Sequence, residues 1–379
     1  MYLQQNKNVK KKIIHYLTSL NDGGAETIVK EYVTKIDRNL FEVKVVVLWL
    51  FGETANLKSI REAGIEIIVL FPKWSLSEKI VNKICHTKFV ATRLKRVLEQ
   101  EKPDILHVHL ELLATLLPNI KLIHNTKLVY TCHSRPINFL GDIRPKERDA
   151  AIKLIKYCNL GIIALHEDMA HEINEMFNID NTAVINNGID LPKYYNIEES
   201  KSEIRKSLNL PSDCFLLGHV GRFSKVKNHE FILKTFIELK KLNPKAHLLL
   251  VGAGELFSQI QGKIVQYDLK KDVTILTGRS DIPRIMKAMD FFIMPSIYEG
   301  FGIVLIEAQA AGLSCIASNT ISKTTCVSNN VIYKALDEGA KEWAKAILVP
   351  ENYELAKYDI SNFDMNSEIK KLEQLYLQL

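Results

Sequence analysis

Ile293-Met294-Pro295-Ser296-Ile297-Tyr298-Glu299-Gly300-Phe301-Gly302-Ile303-Val304-Leu305-Ile306-Glu307-Ala308-Gln309-Ala310-Ala311-Gly312 decides how the chain is read. An apolar strand ends at Pro295, a glycine-rich turn follows, and a helical run from Ile303 to Ala311 closes on Gly312. Strand, glycine turn and helix form the usual layout of a ligand site in an α/β domain. The glycines let backbone approach a ligand and leave N–H groups free to donate. Glu299 falls in the turn at the carboxyl end of the strand. Glu307 falls in an otherwise apolar helix, where a charge needs a reason. Spacing alone reads equally well as a plain strand-to-helix connection with two solvated glutamates.

The same rhythm runs outward in both directions. Lys11–Leu20, Phe41–Leu50, Ile65–Leu70, Asp104–Val108, Lys127–Thr131, Leu160–Leu165 and Thr182–Ile185 read as strands separated by helical segments. Cys214–Val220, His247–Gly252, Asp272–Leu276, Phe291–Met294 and Ser314–Ala317 form a second series. Short apolar strands alternating with amphipathic helices predict parallel sheets covered on both faces. Ile137–Arg148 shows no clear period and reads as a loop. Dense turn chemistry at Asn186-Asn187-Gly188-Ile189-Asp190 and Pro192 marks a linker. The expected fold is therefore α/β, with two Rossmann-like domains facing across a cleft. The domains are 1–190 and 191–358, followed by a terminal helical segment, 359–379.

Composition narrows the class. The 379 residues are 47% hydrophobic and 25% charged, as in an ordinary globular protein of about two domains. Apolar runs fall short of a membrane span, and no signal-peptide core follows the Lys-rich start, so a cytoplasmic location is expected. Cys85, Cys132, Cys158, Cys214, Cys315 and Cys326 show no CxxC pairing and read as reduced core thiols. The net charge of +6 is diffuse, and no nucleic-acid motif accompanies it. One segment is locally basic: Lys73–Arg96 holds seven Lys and Arg side chains against Glu78 alone. With Trp74 upstream, this amphipathic helix is a candidate for peripheral contact with an anionic membrane surface; a solvated basic face is the plainer reading.

Candidate site residues cluster at strand ends. Gly23-Gly24 lies between the first strand and first helix, where backbone can approach a phosphate. His109 and His133 close two strands of the first series; nothing at metal spacing joins them, so zinc is not expected. Gly221-Arg222-Phe223-Ser224-Lys225-Val226-Lys227-Asn228 puts three cations before a helix amino terminus, with Asn228 as candidate N-cap. Cations there oppose the helix dipole unless an anion sits among them. Gly252-x-Gly254 would need a third glycine at Phe257 for a dinucleotide fingerprint, so that reading fails. Cations for a phosphate and carboxylates for hydroxyl groups together suit a nucleotide sugar. No Asp-x-Asp occurs to clamp a metal on a diphosphate, so no metal and no other cofactor is expected.

The stretch Pro295–Gly302 with Glu307 and Gly312 resembles the Glu-x7-Glu signature of retaining glycosyltransferases of family 4, which have the GT-B fold. Further matches follow in order: Gly23-Gly24-Ala25-Glu26, His107-Val108-His109, Thr131-Cys132-His133, Asn187-Gly188-Ile189-Asp190, Val220-Gly221-Arg222 with Lys227, and Val251–Glu255. The wording of Ser280–Pro283 and Ala308–Gly312 is most similar to the bacterial capsule and exopolysaccharide branch. The resemblance implies a retaining, metal-independent transfer from a nucleotide sugar, most simply a UDP-sugar, to a saccharide or lipid-linked saccharide. It implies that Arg222 and Lys227 bind the diphosphate, with Gly23 and Gly24 facing it. It places Glu307 on the ribose, and Glu299 with the backbone of Gly300, Phe301 and Gly302 on the donor sugar. His133 would contact that sugar near the reacting carbon, so His133 and Glu299 stand as catalytic candidates, with His109 on the acceptor side. The terminal helix would pack back on the first domain. After Ala317 the chain reads Ser318-Asn319-Thr320-Ile321-Ser322-Lys323-Thr324-Thr325, where relatives often show a Gly-x-Pro-Glu turn. Two other readings suit the same architecture: a sugar-nucleotide epimerase or sugar phosphorylase, and a non-catalytic partner of another transferase.

Overall fold

A computed structural model describes residues 10–21, 23–50, 52–72, 76–349, 353–356 and 359–379, and for residues 76–86 the backbone alone. The chain divides into two compact units, one of Met1–Asn187 with Asn366–Leu379 and one of Gly188–Met365.

The first unit is built on strands β1 (Lys11–Leu17), β2 (Phe41–Val47), β3 (Glu66–Val69), β4 (Ile105–His109), β5 (Lys127–Thr131), β6 (Gly161–Ala164) and β7 (Ala183–Val184). Among the described residues they form a seven-stranded sheet in the order β3-β2-β1-β4-β5-β6-β7. Every pairing in it is parallel. The centre is buried on both faces: Ile13 to Leu17 and Ile105 to His109 are all inaccessible. Parallel strands need helical crossovers, and these cover both sides, so the strands read as continuous apolar runs.

The second unit contains β8 (Phe215–Val220), β9 (Ala246–Val251), β10 (Val273–Leu276), β11 (Phe291–Met294), β12 (Ser314–Ser318) and β13 (Val331–Lys334), in the order β10-β9-β8-β11-β12-β13. One face packs on the helices His229–Leu242 and Gly339–Leu348 through Leu233, Phe236, Leu250 and Trp343. The indole of Trp343 donates to the Ala335 carbonyl at 2.9 Å, which satisfies the polar atom of a fully buried ring.

Three local expectations are corrected. Residues 137–148 are mostly not a loop: 137–140 and 145–148 belong to the helices Pro136–Leu140 and Pro145–Cys158, and only 141–144 form the turn between them. Each begins on a proline, which is preorganised for the first helical position. β13, short and only partly apolar, was not expected and forms an edge of the second sheet. Asn228 occupies the cap position of its helix but does not cap it: its backbone is left-handed, and its side chain donates to the Pro295 carbonyl at 3.2 Å.

The basic helix spans Leu76–Glu101. Lys73 and Trp74 lie outside the described residues, as do the side chains of Glu78, Lys79 and Lys83. Farther along, Val90, Leu94, Val97 and Leu98 are buried, while Lys88, Lys95 and Arg96 are exposed. Arg93 turns inward, donating to the Leu70 carbonyl at 3.0 Å with its guanidinium over Phe71. No helix among the described residues is long and apolar enough to cross a membrane.

The chain leaves the first unit at Asn187 and re-enters it at Asn366. Gly188 sits where a Cβ would come within 2.6 Å of the Met365 Cα, so these two passing segments approach as only glycine allows. The final helix, Met365–Gln378, completes the first unit. Glu368, fully buried, accepts the Asn186 backbone N–H at 2.8 Å, and Glu373 accepts that of Asp37 at 2.7 Å. Glu368→Ala would take the acceptor from a part-buried backbone N–H, at a cost of about 1–3 kcal/mol. A urea titration of the variant should show that loss as a lower midpoint with an unchanged slope.

Candidate active site

In each sheet the strand order reverses once: between β1 and β4 in the first, and between β8 and β11 in the second. At such a point the connections leave the carboxyl ends of neighbouring strands in opposite directions, and a crevice opens between them. The loops singled out in the sequence follow these strands. Arg222 and Lys227 follow β8, Glu299 to Gly302 follow β11, Gly23-Gly24 follows β1, and His109 ends β4.

In the second unit the two loops are stitched together. Ile297 donates its backbone N–H to the Val226 carbonyl at 2.8 Å, and Asn228 ties to Pro295 as described. The ammonium of Lys227 donates to Glu299 at 2.6 Å, both side chains being largely shielded from water. The expected phosphate ligand and the expected sugar ligand therefore touch. Neutralising each other answers the electrostatic objection to a cation before a helix amino terminus. Arg222 is different. It is 72% exposed and pairs with an exposed Glu255 at 3.1 Å, a contact that water and salt weaken.

Gly252 and Gly254 acquire a purpose other than dinucleotide binding. Both have positive φ, and a Cβ would meet the Gly221 carbonyl oxygen at 2.1 Å and the Phe223 backbone at 2.6 Å. Without side chains the loop after β9 lies against the Arg222 loop, and Phe223 donates to the Ala253 carbonyl at 2.9 Å. The glycines thus set the backbone that carries Arg222.

The helix Ile303–Ala310 starts from Gly302, whose φ of +87° is the left-handed region that favours glycine. Phe301 is buried against Phe363, so only its backbone borders the turn. Glu307, the one charged residue of this helix, is half-buried among buried neighbours. The unusual segment after β12 packs here: Thr320 donates its hydroxyl to the Ser296 carbonyl at 3.1 Å, and a Cβ on Gly302 would lie 3.3 Å from Ile321.

Several residues of this region were not singled out in the sequence. Gln309 donates to the Leu305 and Thr325 carbonyls at 2.8 and 2.7 Å and accepts from Val327 and Ser328 at 2.8 and 2.9 Å. It pins the divergent segment; its one legible signal was an amide in an apolar helix. Ser296 Oγ is buried without a hydrogen-bond partner. His219 donates Nδ1–H to the Ile293 carbonyl at 2.8 Å, leaving its Nε2 buried and unpartnered beside Gly221. Burial holds this imidazole well below its usual pKa, hence neutral.

In the first unit Gly23 is the N-cap of the helix Gly24–Lys35, and the Glu26 carboxylate folds over it where a Cβ would stand. Gly24 is open: a Cβ added there would meet nothing within 4 Å. Asp22 lies outside the described residues. His133, two residues beyond β5, donates to or accepts from His109 at 2.9 Å, and its other ring nitrogen is shielded and unpartnered. Burial pushes the His133 pKa down to about 4. His109 is fully buried with both ring nitrogens engaged, by His133 and by His15 at 3.0 Å. A ligand would therefore reach His109 only through His133. A wide surface groove, about 850 Å3, is lined by Ser202, Lys206, His247 and Thr274 at the amino ends of β9 and β10, away from these loops.

Two parallel sheets, each with one reversal of strand order, form the architecture that this chain shares with solved glycosyltransferases of the GT-B type. The family comparisons agree: the model for Glycosyltransferase Family 4 matches residues 22–193, and that for glycosyl transferases group 1 matches residues 200–351. The two matches follow one another along the chain and together run from residue 22 to residue 351, so the chain is similar to the glycosyltransferases of family 4 over most of its length. It is 31% identical over 257 residues to the UDP-Gal:alpha-D-GlcNAc-diphosphoundecaprenol alpha-1,3-galactosyltransferase of Escherichia coli, covering 62% of this chain and 63% of that protein. It is 25% identical over 382 residues to the capsular polysaccharide biosynthesis glycosyltransferase CapH of Staphylococcus aureus, covering 97% and 98%. Among solved structures, HepE of Anabaena in complex with UDP-glucose superposes with a TM-score of 0.73 at 22% identity, covering 97% of this chain and all of that one.

Backbone geometry at the two glycine sites leads to a contrast. Gly254→Ala forces a Cβ into the Phe223 backbone at positive φ and should cost about 1–3 kcal/mol. Gly24→Ala, at an open position, should stay within about 0.5 kcal/mol of the native protein. Denaturant unfolding of the two variants side by side checks the difference.

Proposed function

We propose that the chain is a retaining, metal-independent glycosyltransferase that moves a sugar from a UDP-sugar to a saccharide or lipid-linked saccharide in capsule or exopolysaccharide synthesis. The observation that carries this reading is the meeting of Lys227 and Glu299 where the loops after β8 and β11 are tied together. One end of that pair suits a diphosphate and the other suits sugar hydroxyls. Lys227 and Arg222 bind the diphosphate as point charge and planar fork. Glu307 accepts from the ribose hydroxyls. Glu299 and the backbone of Gly300, Phe301 and Gly302 hold the donor sugar. Gly23 and Gly24 give the first unit's backbone approach to the diphosphate, and His133 meets the sugar near the reacting carbon.

The chemistry needs no protein nucleophile. The bond from the anomeric carbon to the departing phosphate breaks, and the acceptor oxygen bonds on the same face. The acceptor's proton passes to a phosphate oxygen. Fixed cations stabilise the negative charge that develops on the diphosphate. Support for independence from a metal is the supply of that charge by Lys227 and Arg222, in a sequence without Asp-x-Asp. The UDP-sugar and lipid-linked acceptor are suggested by the activity of the Escherichia coli relative, and the polymer role by the S. aureus one. The basic segment Lys73–Arg96 is proposed as a contact with an anionic membrane surface.

A thermal-shift panel of nucleotides tests the donor, because a ligand that binds only the folded state raises apparent stability. UDP and UDP-sugars should shift the melting temperature; GDP, ADP and CMP should not. Lys227→Ala removes a charged hydrogen bond worth about 1.5–3 kcal/mol and should weaken UDP binding about tenfold or more. Glu299→Gln should bind UDP as the native protein does and lose transfer. Product configuration read by NMR should match that of the donor, with the rate unchanged by EDTA. An inverted product, or full UDP affinity in Lys227→Ala, would overturn the assignment.

A further inference from the structure

The first sheet holds a group of imidazoles that the reaction above does not use. His15 on β1 is the register partner of His107 on β4, and His109 follows two residues on. All three are fully buried, and a nitrogen from each lies within 4.8 Å of the others. Their partners are arranged end to end. The Thr131 hydroxyl lies 2.7 Å from His107 Nε2, and His107 Nδ1 lies 2.5 Å from the Tyr376 hydroxyl on the final helix. That hydroxyl lies 3.5 Å from His15 Nε2. His15 Nδ1 is 3.0 Å from His109 Nε2, and His109 Nδ1 is 2.9 Å from His133 Nε2. The row ends at His133 Nδ1, shielded and without a partner among the described residues.

Burial drives the pKa of His15 down to about 3 and that of His133 to about 4, and holds His107 and His109 well below the usual value. Each ring is therefore neutral and carries one N–H. A hydrogen bond between two imidazoles needs an N–H on one side and a lone pair on the other. Two such bonds in series tie the tautomers of His15, His109 and His133 together, so turning one turns all three. The far end chooses the direction. Tyr376 has one proton, and its oxygen is much closer to His107 than to His15. O–H donors make the shorter bonds, so the proton points to His107. The oxygen then faces His15 as an acceptor. His15 carries Nε2–H, His109 carries Nε2–H, and His133 carries Nε2–H.

We propose that Tyr376 and His15 are positioning residues which, through His109, hold His133 as its Nε2–H tautomer, so that Nδ1 is a bare acceptor for a substrate hydroxyl. The proposal rests on the reading of His133 as a residue that faces substrate. The row does not conduct protons: Thr131 and Tyr376 are fully buried, and it has no exit to water at that end. It fixes a tautomer. Its action on specificity is to favour a sugar hydroxyl that donates at this position over a deoxy or fluoro group, which cannot.

The test uses the full chain with 15N-labelled histidine, with the His133 ring assigned by its loss in His133→Gln. Long-range 1H–15N spectra report which ring nitrogen is protonated. The native protein should show Nε2–H on His133. Tyr376→Phe keeps the ring but removes the hydroxyl, and should populate the Nδ1–H form. Its kcat should fall about tenfold with the donor KM changed by less than about twofold, as for loss of one hydrogen bond in the transition state. If melting shows that Tyr376→Phe does not fold, His15→Phe cuts the row one step nearer and should give the same spectrum. An Nδ1–H tautomer in the native protein overturns the proposal, as does an unchanged tautomer in a folded variant. Stoichiometric Zn2+ binding that shifts the His15, His107 and His109 signals also overturns it, because a metal would take the same lone pairs. Full transfer activity in His133→Gln would instead sink the substrate-facing reading and leave the tautomer result to stand alone.

Discussion

The hydrogen bond from the Ile297 N–H to the Val226 carbonyl joins two loops about seventy residues apart in the chain. It exists because β8 and β11 are neighbours in a parallel sheet whose order reverses between them. Everything in the second unit's candidate site hangs on that adjacency. It brings Lys227 to Glu299, turns Asn228 away from its helix to reach Pro295, and places Gly302 where a helix can start directly after the turn. In the ion pair that results, each charge is satisfied by the other; under the proposed function, the donor's diphosphate and sugar hydroxyls are the groups that would take their places.

The first unit obeys the same topological rule with different chemistry. Its reversal lies between β1 and β4, and there the buried polar groups are imidazoles. Burying several histidines costs desolvation, which is why their pKa values fall. The cost is bearable because nearly every ring nitrogen finds a hydrogen-bond partner, and the final helix supplies one of them in Tyr376. A helix that returns from the end of the chain thus completes the interior of the first sheet.

The segment after β12 is held in place by side chains. In place of a rigid proline turn it uses hydroxyls: Ser318 with Thr320, Thr320 to Ser296, and Thr325 with Tyr333. Gln309 holds the far end through both sides of its amide. Side-chain bonds to backbone stand in for a fixed φ, with the geometry set by neighbours instead of by the chain itself.

Much of this was legible in the residues. Apolar runs at strand length, separated by amphipathic helices, determined two parallel α/β units, because burial on both faces leaves a periodic trace. Gly302 and the glutamates flanking it marked a strand-to-helix turn for the same local reason. The stretch Ile137–Arg148, without a clear period, hid two short helical starts at Pro136 and Pro145, and β13 was too short and polar to show. What the residues could not disclose was pairing. Lys227 with Glu299, Gly254 against Phe223, Gln309 beneath Thr325 and His15 beside His107 are all distant in sequence. Side-chain type and spacing carry no information about which strands become neighbours; that is decided when the sheet assembles and its order reverses. The residues alone therefore offered most of the candidate groups, and the tertiary structure decided which of them meet.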